Sequence, residues 1–117
     1  MRSAISISAA LLLGFVITGA TAASAGEPEG LDLYKAHCKV CHAADSEHGE
    51  YTPMTLIQMQ WERFFDRKYE KKHAELVHPE ADGKKVLDVI TPELLAKIKT
   101  FAIDHAADSE QPMTCGK

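Results

Sequence analysis

Three residues of this chain have the types and spacing for cofactor chemistry: Cys38, Cys41 and His42, within the pentapeptide Cys38-Lys39-Val40-Cys41-His42. Two thiols three positions apart can each close a thioether bond with one vinyl group of a single porphyrin. The histidine that follows then places an imidazole under the iron, and C-x-x-C-H is the attachment signature of a c-type haem. Iron tied down in this way gains and loses one electron without being lost from the protein. C-x-x-C alone also serves thiol redox sites and zinc sites; the adjoining histidine and an export signal favour haem here.

The elements that must position these residues follow from periodicity. Leu31, Tyr34 and Cys38 recur at helical spacing, so Leu31 to about Val40 reads as a short helix leading into the motif. Ala43 to Pro53 is polar, contains Gly49 and Pro53, and reads as a loop. Thr55 is a candidate cap for a second helix running to about His73, with Ile57, Trp61, Phe64, Phe65 and Tyr69 on or near one face. Residues 78–90 read as another loop, with a short extended piece at Val86–Ile90. A last helix opens with Thr91 at the N-cap and Pro92 in the first turn. It carries Leu94, Leu95, Ile98, Phe101, Ala102 and His105 along one stripe. The predicted fold class is all-α, a small helical domain wrapped around one covalently attached haem.

The first 25 residues read as an export signal. Arg2 provides the positive start, Ala4 to Ile17 is apolar apart from small Ser and Gly residues, and Ala23-Ser24-Ala25 is a small-x-small cleavage site. The apolar run is shorter than the ~20 residues of a membrane-spanning helix. Cleavage near Ala25 and a periplasmic location are therefore expected, with retention as an anchor the alternative. Residues 26–117 form one domain, of which 108–117 is a tail. A domain this small buries ~60–65% of its unfolded surface and is marginal alone; an apolar cofactor at its centre offsets that.

With 17 acidic against 13 basic side chains the net charge is −4, which excludes a nucleic-acid binder. One cluster runs against this balance: Arg63, Arg67, Lys68, Lys71 and Lys72. It reads either as a solvated helix face or as a docking patch for an acidic redox partner. Cys115 is an odd thiol in an exported chain, read either as a tolerated tail residue or as the link of a disulfide-bonded dimer. No Ser/His/Asp set, phosphate-cradling glycine loop or paired-carboxylate arrangement stands out, so no enzyme activity is expected.

The order helix, C-x-x-C-H, loop, helix, final amphipathic helix resembles the small monohaem cytochromes c of bacteria. The resemblance implies that the first and last helices cross, with Tyr34 and Phe101 as the aromatic pair at the crossing. It further implies a carrier that passes electrons between redox proteins. The chain departs from many members in having no Met between Met59 and Met113, where a distal methionine would stand. The matching stretch is His78-Pro79-Glu80-Ala81-Asp82-Gly83, with His73 slightly upstream. Trp61…His73 and the final His105-Ala106-Ala107-Asp108 also resemble one haem unit of bis-histidine dihaem cytochromes. His42 is thus the expected proximal ligand and His73 the favoured distal one, with His78 second. Met54, Met59, Met113 and an open position suited to a haem enzyme or gas sensor are the alternatives. His37 and His48 are expected to be exposed, and His105 to be half-buried on the last helix.

Overall fold

The computed structural model describes residues 26–113, and their order is that of a short helical protein with no strand among them. Helix α1 spans Gly26–His37, α2 Gln58–Arg67, α3 Tyr69–His73, α4 Val86–Val89 and α5 Pro92–Asp104, with a single 3₁₀ turn at Pro53–Thr55. The all-α expectation holds. Helix α5 is the spine. Its Thr91 N-cap side chain accepts from the Leu94 amide and Pro92 stands in its first turn, as the sequence predicts.

Helix α5 buries two faces at once. Ile98 and Phe101 join Tyr34 of α1 with Val86 and Ile90 in one core cluster, onto which Leu31, Leu94, Leu95, Cys38 and Met113 pack. Ala102, together with Ala106 just beyond the helix, meets Trp61 of α2 in a second. Full burial of a side chain such as Ile98 stabilises by about 1.5–3 kcal/mol. The Tyr34 and Phe101 rings meet with centroids 5.7 Å apart, so the expected contact between first and last helices is made. Gly30 permits it: a Cβ there would lie 2.7 Å from the Phe101 Cβ.

Three local expectations are corrected. The second helix starts at Gln58 rather than Thr55, and breaks at Lys68, whose φ of −119° separates α2 from α3. The Gln60 side chain turns back to accept the Ile57 amide and marks the start of α2. Val86–Ile90 is not extended: the Ile90 amide bonds the Val86 carbonyl, closing one helical turn. Its β-branched residues read as strand, but no strand among the described residues pairs with it, and burial of Val86 and Ile90 in the core favours the turn. The extended pairing falls just upstream, as an isolated bridge between Val77 and Lys85. Helix α1 starts at Gly26, five residues before the predicted Leu31, and ends at His37. Residues 1–25, where the export signal is expected, and residues 114–117, including Cys115, lie outside the described residues. No helix among the described residues is long and apolar enough to cross a membrane.

Candidate functional site

Beyond α1 the chain keeps winding. The Cys38 and Lys39 amides both bond the Tyr34 carbonyl, and the Cys41 and His42 amides both bond the Cys38 carbonyl. Positions i, i+3 and i+4 of such a turn share a face, so Cys38, Cys41 and His42 project to one side. Both thiols are free and half-buried. Burial among the α1–α5 core residues pushes the Cys38 thiol up to about 12, with Cys41 adding to the effect. That environment suits an uncharged sulfur. It opposes the free thiolate that a thiol-exchange centre requires.

The loop after the motif folds back to grip His42. His42 Nδ1 lies 3.0 Å from the Gly49 carbonyl. A carbonyl only accepts, so Nδ1 carries the hydrogen and the Nε2 lone pair is left for a metal. Gly49 turns the loop at φ +80°, a conformation that favours glycine. The Tyr51 ring meets His42 edge-on at 5.0 Å, and the Tyr34 hydroxyl donates to the Tyr51 carbonyl. The loop is thereby tied to both α1 and the histidine.

Helix α3 delivers His73 to the same place. Its Nδ1 donates to the Tyr69 carbonyl at 2.8 Å, so here too Nε2 is the free nitrogen. The imidazole stacks on the Tyr69 ring, with centroids 4.6 Å apart and planes 27° from parallel. The His42 and His73 rings lie edge to face, with centroids 6.3 Å apart and planes at 73°. Two imidazoles bonded to one metal through Nε2 at about 2 Å have ring centres about 6 Å apart. Burial holds His73 below the usual histidine value; the Tyr69 carbonyl opposes this, and His42 and His48 reinforce it. The ring is therefore kept neutral, the form in which imidazole binds metal.

The other histidines are placed differently. His78 is 4% exposed and both its nitrogens are occupied. Its Nδ1 accepts from the Glu80 amide at 3.2 Å, so Nε2 carries the hydrogen and donates to His37 Nδ1, also at 3.2 Å. His37 is thus half-buried and paired, against expectation. Burial and His78 lower its basicity, with Glu80 opposing. No local signal in the sequence links residues 41 positions apart. His48 is exposed as expected, yet its ring lies 6.3 Å from His42, as far as His73 does. It belongs to the loop whose Gly49 carbonyl holds the Nδ1 edge of His42, and no hydrogen bond fixes its ring. His105 is half-buried, with Nδ1 on the Gln111 carbonyl. Of the methionines, Met113 packs into the α1–α5 core, whereas Met54 and Met59 are exposed.

Tyr51, Met54, Ile57, Met59, Leu76 and Val77 are large apolar side chains left exposed, and they fall in the stretches that follow His42 and His73 along the chain. The Tyr69 hydroxyl is buried without a hydrogen-bond partner. No three His, Cys, Asp or Glu side chains gather to hold a bare ion among the described residues; haem iron asks the protein for only one or two axial ligands. An open depression lined by Glu29, Gln58, Lys97, Thr100 and Asp104 includes none of the motif residues. Arg63, Arg67, Lys68, Lys71 and Lys72 are all exposed on α2 and α3, and none forms an ion pair with a described residue. Comparison with protein families, with curated proteins and with solved structures finds no match to this chain.

Proposed function

We propose that the chain is a periplasmic electron carrier of the small c-type cytochrome kind, holding one haem through thioethers at Cys38 and Cys41. His42 and His73 would hold its iron. One observation carries this reading: two imidazoles, each with Nδ1 tied to a backbone carbonyl, lie edge to face at 6.3 Å beside the C-x-x-C-H turn. Bound there, a haem supplies a one-electron ferric/ferrous couple.

The protein's part is to hold and shield. With both imidazoles on the iron, no coordination site would remain for a substrate, which favours a carrier over a haem enzyme or gas sensor. Imidazole in place of methionine lowers the potential. Tyr51, which meets the His42 ring edge-on, would shield that side of a bound haem from water. Lys71 and Lys72, immediately before His73, present positive charge beside the site. Charge of that sign steers an acidic redox partner towards it. Export through the leader 1–25 matches haem attachment outside the cytoplasm, and mass spectrometry of the mature N-terminus reads the cleavage.

The test is the visible and near-infrared spectrum of holoprotein matured with haem-attachment machinery, alongside His73→Ala, His48→Ala and His78→Ala. A pyridine haemochrome assay first reports thioether-linked haem. The expected result is a low-spin bis-histidine spectrum that turns high-spin in His73→Ala alone. Conversion by His48→Ala instead moves the sixth ligand to the loop. A native high-spin spectrum overturns the carrier reading, and absence of covalent haem overturns the cytochrome.

A further inference from the structure

Rings at every fourth position run along α2 and α3: Trp61, Phe65, Tyr69 and His73. A straight α-helix drifts by about 40° over four residues, so such a stripe leaves its face within three steps. The chain breaks at Lys68, between α2 and α3. Successive rings stay in contact at 5.7, 6.0 and 4.6 Å, and the closest pair is the last, Tyr69 on His73.

Tyr69 holds His73 twice. Its carbonyl takes the Nδ1 hydrogen at 2.8 Å, which fixes the tautomer. Its ring lies 27° from parallel to the imidazole, which fixes the rotation of the ring plane. Phe64 closes on His73 edge-on at 6.2 Å. Tyr69 is itself only 7% exposed. That hydroxyl has no hydrogen-bond partner. A buried donor left unmade costs about 1–3 kcal/mol, and nothing in packing requires a phenol where phenylalanine fills the same space.

We infer that Tyr69 is a positioning residue for His73, and that its buried hydroxyl is a hydrogen-bond donor whose acceptor arrives with the haem. This rests on the reading of His73 as distal ligand. The ring sets the plane of the imidazole. The hydroxyl places a donor dipole beside the site, which favours the more electron-rich reduced state.

Two variants separate the parts. Tyr69→Phe keeps the stack and removes the donor; Tyr69→Leu removes both. The wild-type ferric holoprotein comes first. Planes at 73° leave the two iron orbitals that interact with the imidazoles close in energy. A low-spin paramagnetic resonance spectrum with one widely displaced feature is then expected. Tyr69→Leu is expected to convert it to a mixture of orientations, and to speed carbon monoxide binding to the ferrous form at least tenfold as His73 dissociates more readily. Tyr69→Phe is expected to keep the resonance spectrum and shift the reduction equilibrium about tenfold towards the ferric state, 59 mV for one electron. A Tyr69→Leu protein with unchanged spectrum and carbon monoxide binding overturns the positioning role. An unmoved potential in Tyr69→Phe overturns the hydroxyl's role. A high-spin wild type refutes the ligand assignment itself, whereas a low-spin wild type with silent variants refutes only this inference.

Discussion

Gly30→Ala sets two effects of opposite sign against each other at the crossing that aims Cys38 and His42. Alanine in place of glycine inside a helix is favourable by about 1 kcal/mol on propensity alone. Against this, the new methyl would lie 2.7 Å from the Phe101 Cβ, 3.2 Å from its Cγ and 3.3 Å from its Cδ2. Comfortable carbon–carbon contact is about 3.5–4.0 Å, so a gap close to 1 Å must be found. The nearest atom is a Cβ fixed to the α5 backbone, which cannot swing aside, and Phe101 is 6% exposed within the core. The two helices must part. Overpacking of this kind costs about 1–3 kcal/mol, here at the upper end, and the balance is a loss of about 2 kcal/mol. At about 4–8 °C per kcal/mol for a domain of this size, Tm falls by about 8–16 °C. Thermal unfolding of the ferric holoprotein, followed by far-ultraviolet circular dichroism, measures it. A variant as stable as wild type, or more so, means that propensity acts unopposed and that α1 and α5 do not approach as described.

Two further predictions concern charge. His37 is less basic folded than unfolded, through burial and His78. Between its lowered folded value and the ordinary one near 6.5, the unfolded chain binds more protons, so stability rises with pH there. Its contribution is intact above about 6.5 and is lost as pH falls below that. His37→Gln, which keeps an acceptor for the His78 hydrogen, is expected to flatten this acid-side decline in denaturant titrations of the holoprotein, where haem ligation removes His42 and His73 from titration. An unchanged slope assigns the decline to other groups. Lys71→Glu together with Lys72→Glu is expected to slow electron transfer to an acidic partner by about tenfold at low salt, with the difference closing as ionic strength rises. Stopped-flow kinetics reads this, and an effect independent of salt removes the docking role.

The site was partly legible because part of it is local. C-x-x-C-H needs only the spacing of three neighbours, and the turn that groups them follows from i→i+4 bonding. The Thr91–Pro92 start and the apolar stripe of α5 are likewise readable from adjacent residues. The pairing of Tyr34 with Phe101 is long-range, yet it follows once two amphipathic helices must share a core. The partner of His42 is another matter. His73 and His78 differ by five positions in one polar stretch, and propensity does not separate them. His73 lies beside His42 at the end of a ring stripe that continues across the break at Lys68. His78 is turned away because the Val77–Lys85 bridge folds it under the end of α1, against His37.

His48 and the Val86–Ile90 turn make the same point from two sides. An exposed loop histidine carries no mark of nearness to His42, because loop closure through Gly49 is set by one carbonyl and one glycine conformation. A short β-branched run reads as strand until the absence of a pairing edge leaves the helical turn as the way to satisfy its backbone. By itself the sequence determined the helical class, the attachment turn and the last helix, since each rests on contacts within about one helical turn. Only the tertiary structure decided which imidazole faces His42, which ring holds it, and which buried hydroxyl stands without a partner. Those depend on where chain segments about thirty residues apart come to rest, and local physics leaves that open until the core is packed.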